Sequence, residues 1–216
     1  KLKWIKSNLD DKIYLITLLI VSILLSILIV KNFSSNFLIN TILISSAFYL
    51  FFITLRDFFI KGFKNLAQNI AHFGFSLLIL SILFNSLFSS EIITNLKVGQ
   101  TFENTKTKIV FESISQKEAK NYRSIIGNFT VQDSKGKIEN LLPELRIYNQ
   151  PNITTSEADI KTTLLSDKFM VINIVQNQEF FNVRYQVKPF MLWIWISVIL
   201  ISFGGLMSFL KKGYEK

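Results

Sequence analysis

The chain has 216 residues, half of them hydrophobic, with 21 Phe, one His, no Cys and a formal net charge of +9. A small soluble surface cannot absorb so much apolar side chain, which makes a bilayer the natural solvent. The lack of cysteine excludes a disulfide framework, a thiolate metal site, a C-x-x-C redox motif and a covalently attached haem on this chain.

The charge is unevenly spread. Residues 89–187 hold 12 Lys and Arg against 11 Asp and Glu, so the remaining +8 lies in short segments beside apolar runs. That distribution reads as membrane orientation, not as nucleic-acid binding. Residues 13–30 are the first apolar run, close to the ~20 residues that cross a ~30 Å hydrocarbon core as a helix. The run is long for a signal peptide, and Lys31-Asn32-Phe33 stands where a small-residue cleavage site is needed. Residues 37–55 and 66–88 are the second and third spans, both carrying Asn, Ser or Thr that a purely lipid-facing helix avoids. Residues 190–210 are the fourth, with Pro189 expected in its first turn, where a missing N–H costs nothing.

Basic residues set the orientation. Lys1, Lys3, Lys6 and Lys12 precede the first span, Arg56, Lys61 and Lys64 lie between the second and third, and Lys211, Lys212 and Lys216 follow the fourth. Four alternating helices put all three groups on one side, which the positive-inside rule makes the cytoplasm or the mitochondrial matrix. The expected division is thus three spans in 1–88, an outer domain in 89–187, and a fourth span with a basic tail in 188–216. The protein is expected to be multi-pass, with both termini inside.

The outer domain reads as β, a sandwich or barrel. Residues 108–113, 127–132, 144–148, 168–175 and 180–187 are short runs rich in β-branched and aromatic side chains, several with period-two alternation. Asp133-Ser134-Lys135-Gly136, Asn149-Gln150-Pro151-Asn152 and Asn177-Gln178 carry turn chemistry. Residues 155–164 are ambiguous, because Ser156 followed by Glu157, Ala158 and Asp159 is also a helix-start pattern.

His72, the single histidine, falls inside the third span, roughly 9 Å from its start at a rise of ~1.5 Å per residue. An ionisable side chain at such depth is costly and marks a functional candidate. Gln68 and Ser76 lie at i−4 and i+4 and Asn69 at i−3, a polar stripe on one helix face, while Gly74 permits close approach of a helix or a flat ligand. Three uses are open on spacing alone: a hydrogen bond across helices, ligation of haem or another metal, and a proton relay. A multi-ligand metal site is disfavoured by one His and no Cys, a nucleophile triad is excluded because the sole His lies within a span, away from any outer-domain Ser, and no catalytic residue is assigned. Trp193 and Trp195 fit an interfacial aromatic belt, Gly204-Gly205 a packing notch, and Arg146 with Tyr148 a same-face pair on one strand.

Ala71-His72-Phe73-Gly74, then Pro143-Glu144-Leu145-Arg146-Ile147-Tyr148 with Thr155-Ser156-Glu157-Ala158, then Lys188-Pro189-Phe190 leading to Trp193-Ile194-Trp195 and Gly204-Gly205, form a recognisable series. In order, spacing and membrane placement it resembles the C-terminal portion of the CcmF-type cytochrome c haem lyases, from about residue 66 to the end. The resemblance implies a part in cytochrome c maturation, in which haem is joined to an apocytochrome. It implies that His72 is one axial ligand of a membrane-embedded haem b thought to reduce the incoming haem, with Gln68 or Ser76 steadying the imidazole. It also implies that Trp193 and Trp195, at the outer boundary beneath the β domain, help to close a cavity for haem-bearing partners. Implied partners are the N-terminal portion of the same lyase, thioredoxin-like and apocytochrome-handling maturation subunits, a periplasmic haem chaperone, apocytochrome c and membrane lipid, in a bacterial cytoplasmic or mitochondrial inner membrane.

The family's tryptophan-rich haem-handling segment, its two outer histidines and its second membrane histidine have no match here, so the second iron ligand is expected from outside this chain. The chain starts at Lys1, as expected of a fragment or one piece of a split protein. Two rival readings are a membrane-anchored docking module without haem and a transporter or sensor fragment.

Overall fold

A computed structural model describes residues 9–33, 36–61, 65–175 and 179–214. Lys1, Lys3, Lys6, Lys64, Lys216 and the Asn177-Gln178 turn lie outside the described residues, and the side chains of Lys61, Lys211 and Lys212 are likewise not described. Among the described residues there are four long helices, α1 (Leu9–Phe33), α2 (Phe37–Lys61), α3 (Leu66–Phe88) and α4 (Met191–Tyr214), with ten strands between α3 and α4 in chain order. The chain divides into a helical unit and a β unit, Ser89–Pro189.

All four helices are long and apolar enough to cross a membrane. Each packs on its neighbour in sequence: α1 on α2, α2 on α3, α3 on α4. Lipid tails are as apolar as Leu, so contacts between such helices depend on close packing and hydrogen bonds. Ser22 and Ser26, one turn apart, are fully buried on α1, as Ile44 and Ala47 nearly are on α2. Their hydroxyls return to carbonyls of their own helix, at 2.7 Å to Leu18 and 2.8 Å to Ile23, so burial leaves neither donor unpaired. At the other end of the α1–α2 pair, Arg56 meets Asp11 at 2.8 Å and lies 4.8 Å over the ring of Tyr14.

The β unit consists of two antiparallel sheets. One has the order β1 (Ser90–Leu96), β10 (Phe181–Pro189), β9 (Ser166–Ile174), β8 (Asp159–Thr162). The other runs β2 (Thr101–Glu103), β3 (Thr107–Glu118), β4 (Tyr122–Asp133), β6 (Glu144–Tyr148), β7 (Thr154–Glu157), with β5 (Ile138–Leu141) also on β4. Alternation puts Ile109, Phe111, Phe129 and Val131 of one sheet against Met170, Ile172, Val183 and Tyr185 of the other. Phe111 and Phe129 are cross-strand partners with ring centroids 4.2 Å apart, and Phe181 meets Phe111 edge-on at 5.5 Å. Burying each of the fully covered Phe111 and Phe129 rings contributes about 1.5–3 kcal/mol.

Several expectations need correction. Pro189 is not in the first turn of the last helix. It ends β10, opposite Ser166, where the neighbouring strand β1 has already stopped at Ser90, so no ladder donor is missed on that side. Phe190 then turns the chain with φ of +60° before α4 begins. Residues 155–164 are not helical. Thr154–Glu157 pairs with β6 and Asp159–Thr162 with β9, because a sheet edge on each side outweighs the local helix-start pattern. Strands β1, β2 and β5 carry too little alternation to have been read. The Asp133 turn is as its chemistry suggests: Gly136 takes φ of +78° and the Asp133 carboxylate accepts from the Lys135 and Lys137 amides.

Candidate functional site

The azimuth of His72 is fixed by how α3 is wedged between its neighbours. On one side Ala67, Ala71 and Gly74 meet α4. A Cβ on Gly204 would lie 2.7 Å from both the Ala67 oxygen and the Ala71 nitrogen, and one on Gly74 would lie 2.9 Å from Leu200 Cβ. These two glycines are therefore the notches that allow the helices to touch, while Gly205 faces open space. On another side Phe73 packs against Phe51 and Phe58 of α2, at 5.6 and 6.1 Å between centroids, and Phe84 against Phe48 at 5.6 Å. The Ser76 hydroxyl lies 2.7 Å from the Thr54 hydroxyl, a buried polar link between α2 and α3.

A helix held on those two faces has a third, turned away from both. Gln68, His72, Phe75 and Ile82 occupy it, all exposed, with Ile79 half-buried among them. The structure thus brings Gln68 and His72 together on the uncovered face and separates Ser76 from them. Ser76 Oγ is engaged with Thr54 and with the carbonyl of Phe73 at 2.8 Å, and Asn69 is buried with it. Four residues at ~100° each carry Ser76 about 40° round from His72, enough to cross from the open face to the α2 contact.

Trp193 and Trp195 do not share a helix face either. Two positions along a helix are about 200° apart. Trp193 is half-buried, with its carbonyl accepting from the buried Ser197 hydroxyl at 2.6 Å, whereas Trp195 is 60 % exposed. Among the described residues no group of three or more His, Cys, Asp or Glu side chains could hold a metal ion. His72 is the single histidine of the sequence, so one imidazole is available here.

The resemblance motif in the β unit forms a closed polar cluster on the outer face of its sheet. Arg146 meets both oxygens of Glu144 at 3.1 Å, lies 3.7 Å from Glu157 and sits 5.1 Å over the Tyr122 ring, while Tyr148 opposes Tyr122 at 5.3 Å. The hydrogen bonds from Arg146 hold the Glu144 carboxyl below its usual range. The guanidinium is raised in turn by the same bonds and remains cationic. The sequence expectation of a same-face pair missed Tyr122, which reaches the cluster only through the pairing of β4 with β6. Beside it a shallow recess of about 410 Å³ is lined by Glu118, Ala119, Tyr122, Arg123, Ile147 and Asn149. A second cluster links the sheets, with Glu139 of β5 at 2.9 Å from Lys168 of β9 and 2.6 Å from Lys137.

Residues 87–189 match the family model described as the CcmF C-terminal beta-sandwich. The chain is 29 % identical over 161 residues, 72 % of its length, to the cytochrome c-type biogenesis protein CcmF of Pseudomonas fluorescens. It is 26 % identical over 147 residues, 68 % of its length, to that of Escherichia coli. These matches span 24 % and 23 % of the relatives, so the chain corresponds to about a quarter of their length. A solved structure of the cytochrome c heme lyase CcmF superposes with a TM-score of 0.70 at 16 % identity, covering 93 % of this chain and 34 % of that one, a likeness of fold. The resemblance read from the sequence is borne out, and so is the fold class, four apolar helices with a β-sandwich between the third and the fourth.

Proposed function

With a CcmF C-terminal β-sandwich and CcmF relatives as the premise, we propose that this chain is the part of a cytochrome c haem lyase that supplies one axial ligand to a membrane-embedded haem b. The observation that carries the reading is His72, the single histidine, set on the face of α3 that neither α2 nor α4 covers. An uncovered imidazole in a membrane helix is costly unless something occupies that face. A neutral imidazole suits iron at such depth because it brings no charge into the low dielectric. Of the residues present, His72 would hold the iron through one imidazole, and a second imidazole would have to come from protein outside this chain. When bound, haem supplies one-electron redox chemistry. The chain's own part is to hold the imidazole at a fixed azimuth through the Gly74 and Gly204 contacts, with Gln68, one turn away on the open face, as the nearest side chain to orient the ring.

Within this reading the basic flanks of the helices place both termini inside and the β domain outside, in a bacterial or mitochondrial inner membrane. The outer domain and Trp195 contribute surface for the haem chaperone, the apocytochrome and its handling subunits. The test is an absorption spectrum of detergent-extracted membranes in which this chain is expressed with the remaining portion of a CcmF-type protein. A bis-imidazole haem b spectrum that disappears in His72→Ala supports the assignment, and Gln68→Leu is expected to keep the haem with a shifted midpoint potential. An unchanged spectrum in His72→Ala overturns it.

A further inference from the structure

The β8–β9 hairpin ends in a two-residue turn made of Leu164 and Leu165, whose side chains are 62 % and 64 % exposed. Turn centres ordinarily hold Gly, Asn, Asp or Pro, so two leucines displayed there stand out. The turn is firmly closed from beneath. The Thr163 amide donates to the Ser166 carbonyl at 3.0 Å, and the Thr163 hydroxyl donates to the same carbonyl at 2.7 Å while accepting from the Ser166 amide at 3.1 Å. Neither leucine reaches the domain core, whose members lie between the sheets.

The register of the sheet shows which way the tip points. Ser166 is opposite Pro189, the last residue of β10, and Met191 already begins α4. Ser90, two residues after α3 ends at Phe88, is opposite Val187. Both chain connections to membrane-spanning helices therefore enter and leave the domain at this one end. Leu164 and Leu165 lie beyond Ser166 in the direction in which β10 leaves, one or two residues farther, or about 3–7 Å.

We propose that the Leu164-Leu165 tip is a lipid-inserting element, which seats the end of the β domain in the headgroup and upper acyl region of the bilayer. Exposed leucines on a rigid turn at the end of a domain tethered by two spans have lipid as the partner that matches them: apolar, always present, and at the level to which the chain connections lead. The role needs neither haem nor His72 and stands apart from the reading above.

The absence of cysteine makes the test clean, because a single introduced thiol labels at one place. Leu165→Cys and Glu179→Cys, the latter at the other end of the β9–β10 pair about 30 Å away, are labelled with an environment-sensitive fluorophore in the full chain, reconstituted into phosphatidylcholine nanodiscs. Brominated lipid is expected to quench the label at 165 by about twofold and to leave that at 179 unaffected. A label at 165 that emits as in water, or one that is shielded yet unquenched because protein covers it, overturns the proposal. So does equal quenching at both sites. As an independent check without a label, Leu164→Asp with Leu165→Asp, at exposed turn positions that the fold does not bury, should increase protease access at Lys161, exposed on the edge strand β8, in the nanodisc. Unchanged cleavage also counts against the proposal.

Discussion

In the helical unit many of the side chains buried are small or polar, Ser22, Ser26, Thr54, Ser76 and the notches at Gly74 and Gly204, beside a few larger apolar ones such as Val30 and Ile44. In the β unit the buried side chains are mostly large and apolar, led by Phe111 and Phe129, and charged groups are moved to the outer sheet face or the sheet rim, where they pair with one another. The difference follows from the solvent. Water drives the β unit to bury area, whereas helices surrounded by lipid gain nothing from exchanging one apolar neighbour for another and associate through close fit and hydroxyl bonds. A polar residue left uncovered therefore means different things in the two units. An exposed Lys on the β unit is ordinary, whereas the exposed His72 on α3 calls for an occupant.

The contrast can be broken most forcefully in the β core. Phe129→Ala removes a fully buried ring from the Phe111 stack and should cost about 3–5 kcal/mol, seen as loss of the domain's cooperative melt while the helical far-UV signal persists. A simultaneous collapse of both signals would mean that the two units do not differ in the way described. Next in size is Gly204→Val, which forces a Cβ onto the Ala67 and Ala71 backbone and should cost about 1–3 kcal/mol or more in detergent melts. Gly205→Ala, facing open space, should leave the melt unchanged or slightly raised.

Smaller still is Thr54→Val. It removes one buried hydroxyl from the α2–α3 link, and membrane-protein hydrogen bonds of this kind average about 0.6 kcal/mol. Ser76→Ala made with it should add little, since the two hydroxyls act as one contact.

The mildest expectation concerns acid. Arg146 holds Glu144 below its usual range. Burial pushes Glu139 up, but hydrogen bonds from Lys137 and Lys168 more than offset it, so that carboxyl too is lowered. Carboxyls lowered in the folded state bind fewer protons there than in the unfolded chain. Their stabilisation is complete above the ordinary value of 4.5 and fades as pH falls through their folded values. The β unit's melting temperature should decline below about that pH, and by less in Arg146→Met. An acid response unaltered by that substitution would assign the loss to Glu139 and its lysines instead.

Composition and periodicity were enough to place four spans, a β domain between the third and the fourth, and His72 within a span, because each depends on local hydrophobicity that survives without knowledge of neighbours. The family resemblance was legible for the same reason: its motifs are short, ordered and close to span boundaries. Strands β7 and β8 were not legible, since Thr154–Glu157 and Asp159–Thr162 are extended only because β6 and β9 offer them partners. The helical wheel put Ser76 with Gln68 and His72, and only packing separated them, since where α2 meets α3 is decided by Thr54 and the Phe51 and Phe58 rings on another element. Likewise Gly204 and Gly205 are equivalent as letters, and one became a notch while the other faced outward once α4 met Ala67 and Ala71. The sequence determined which residues are polar within the membrane. Only the tertiary structure decided which of them are covered, because coverage belongs to pairs of helices and cannot be read from either helix by itself.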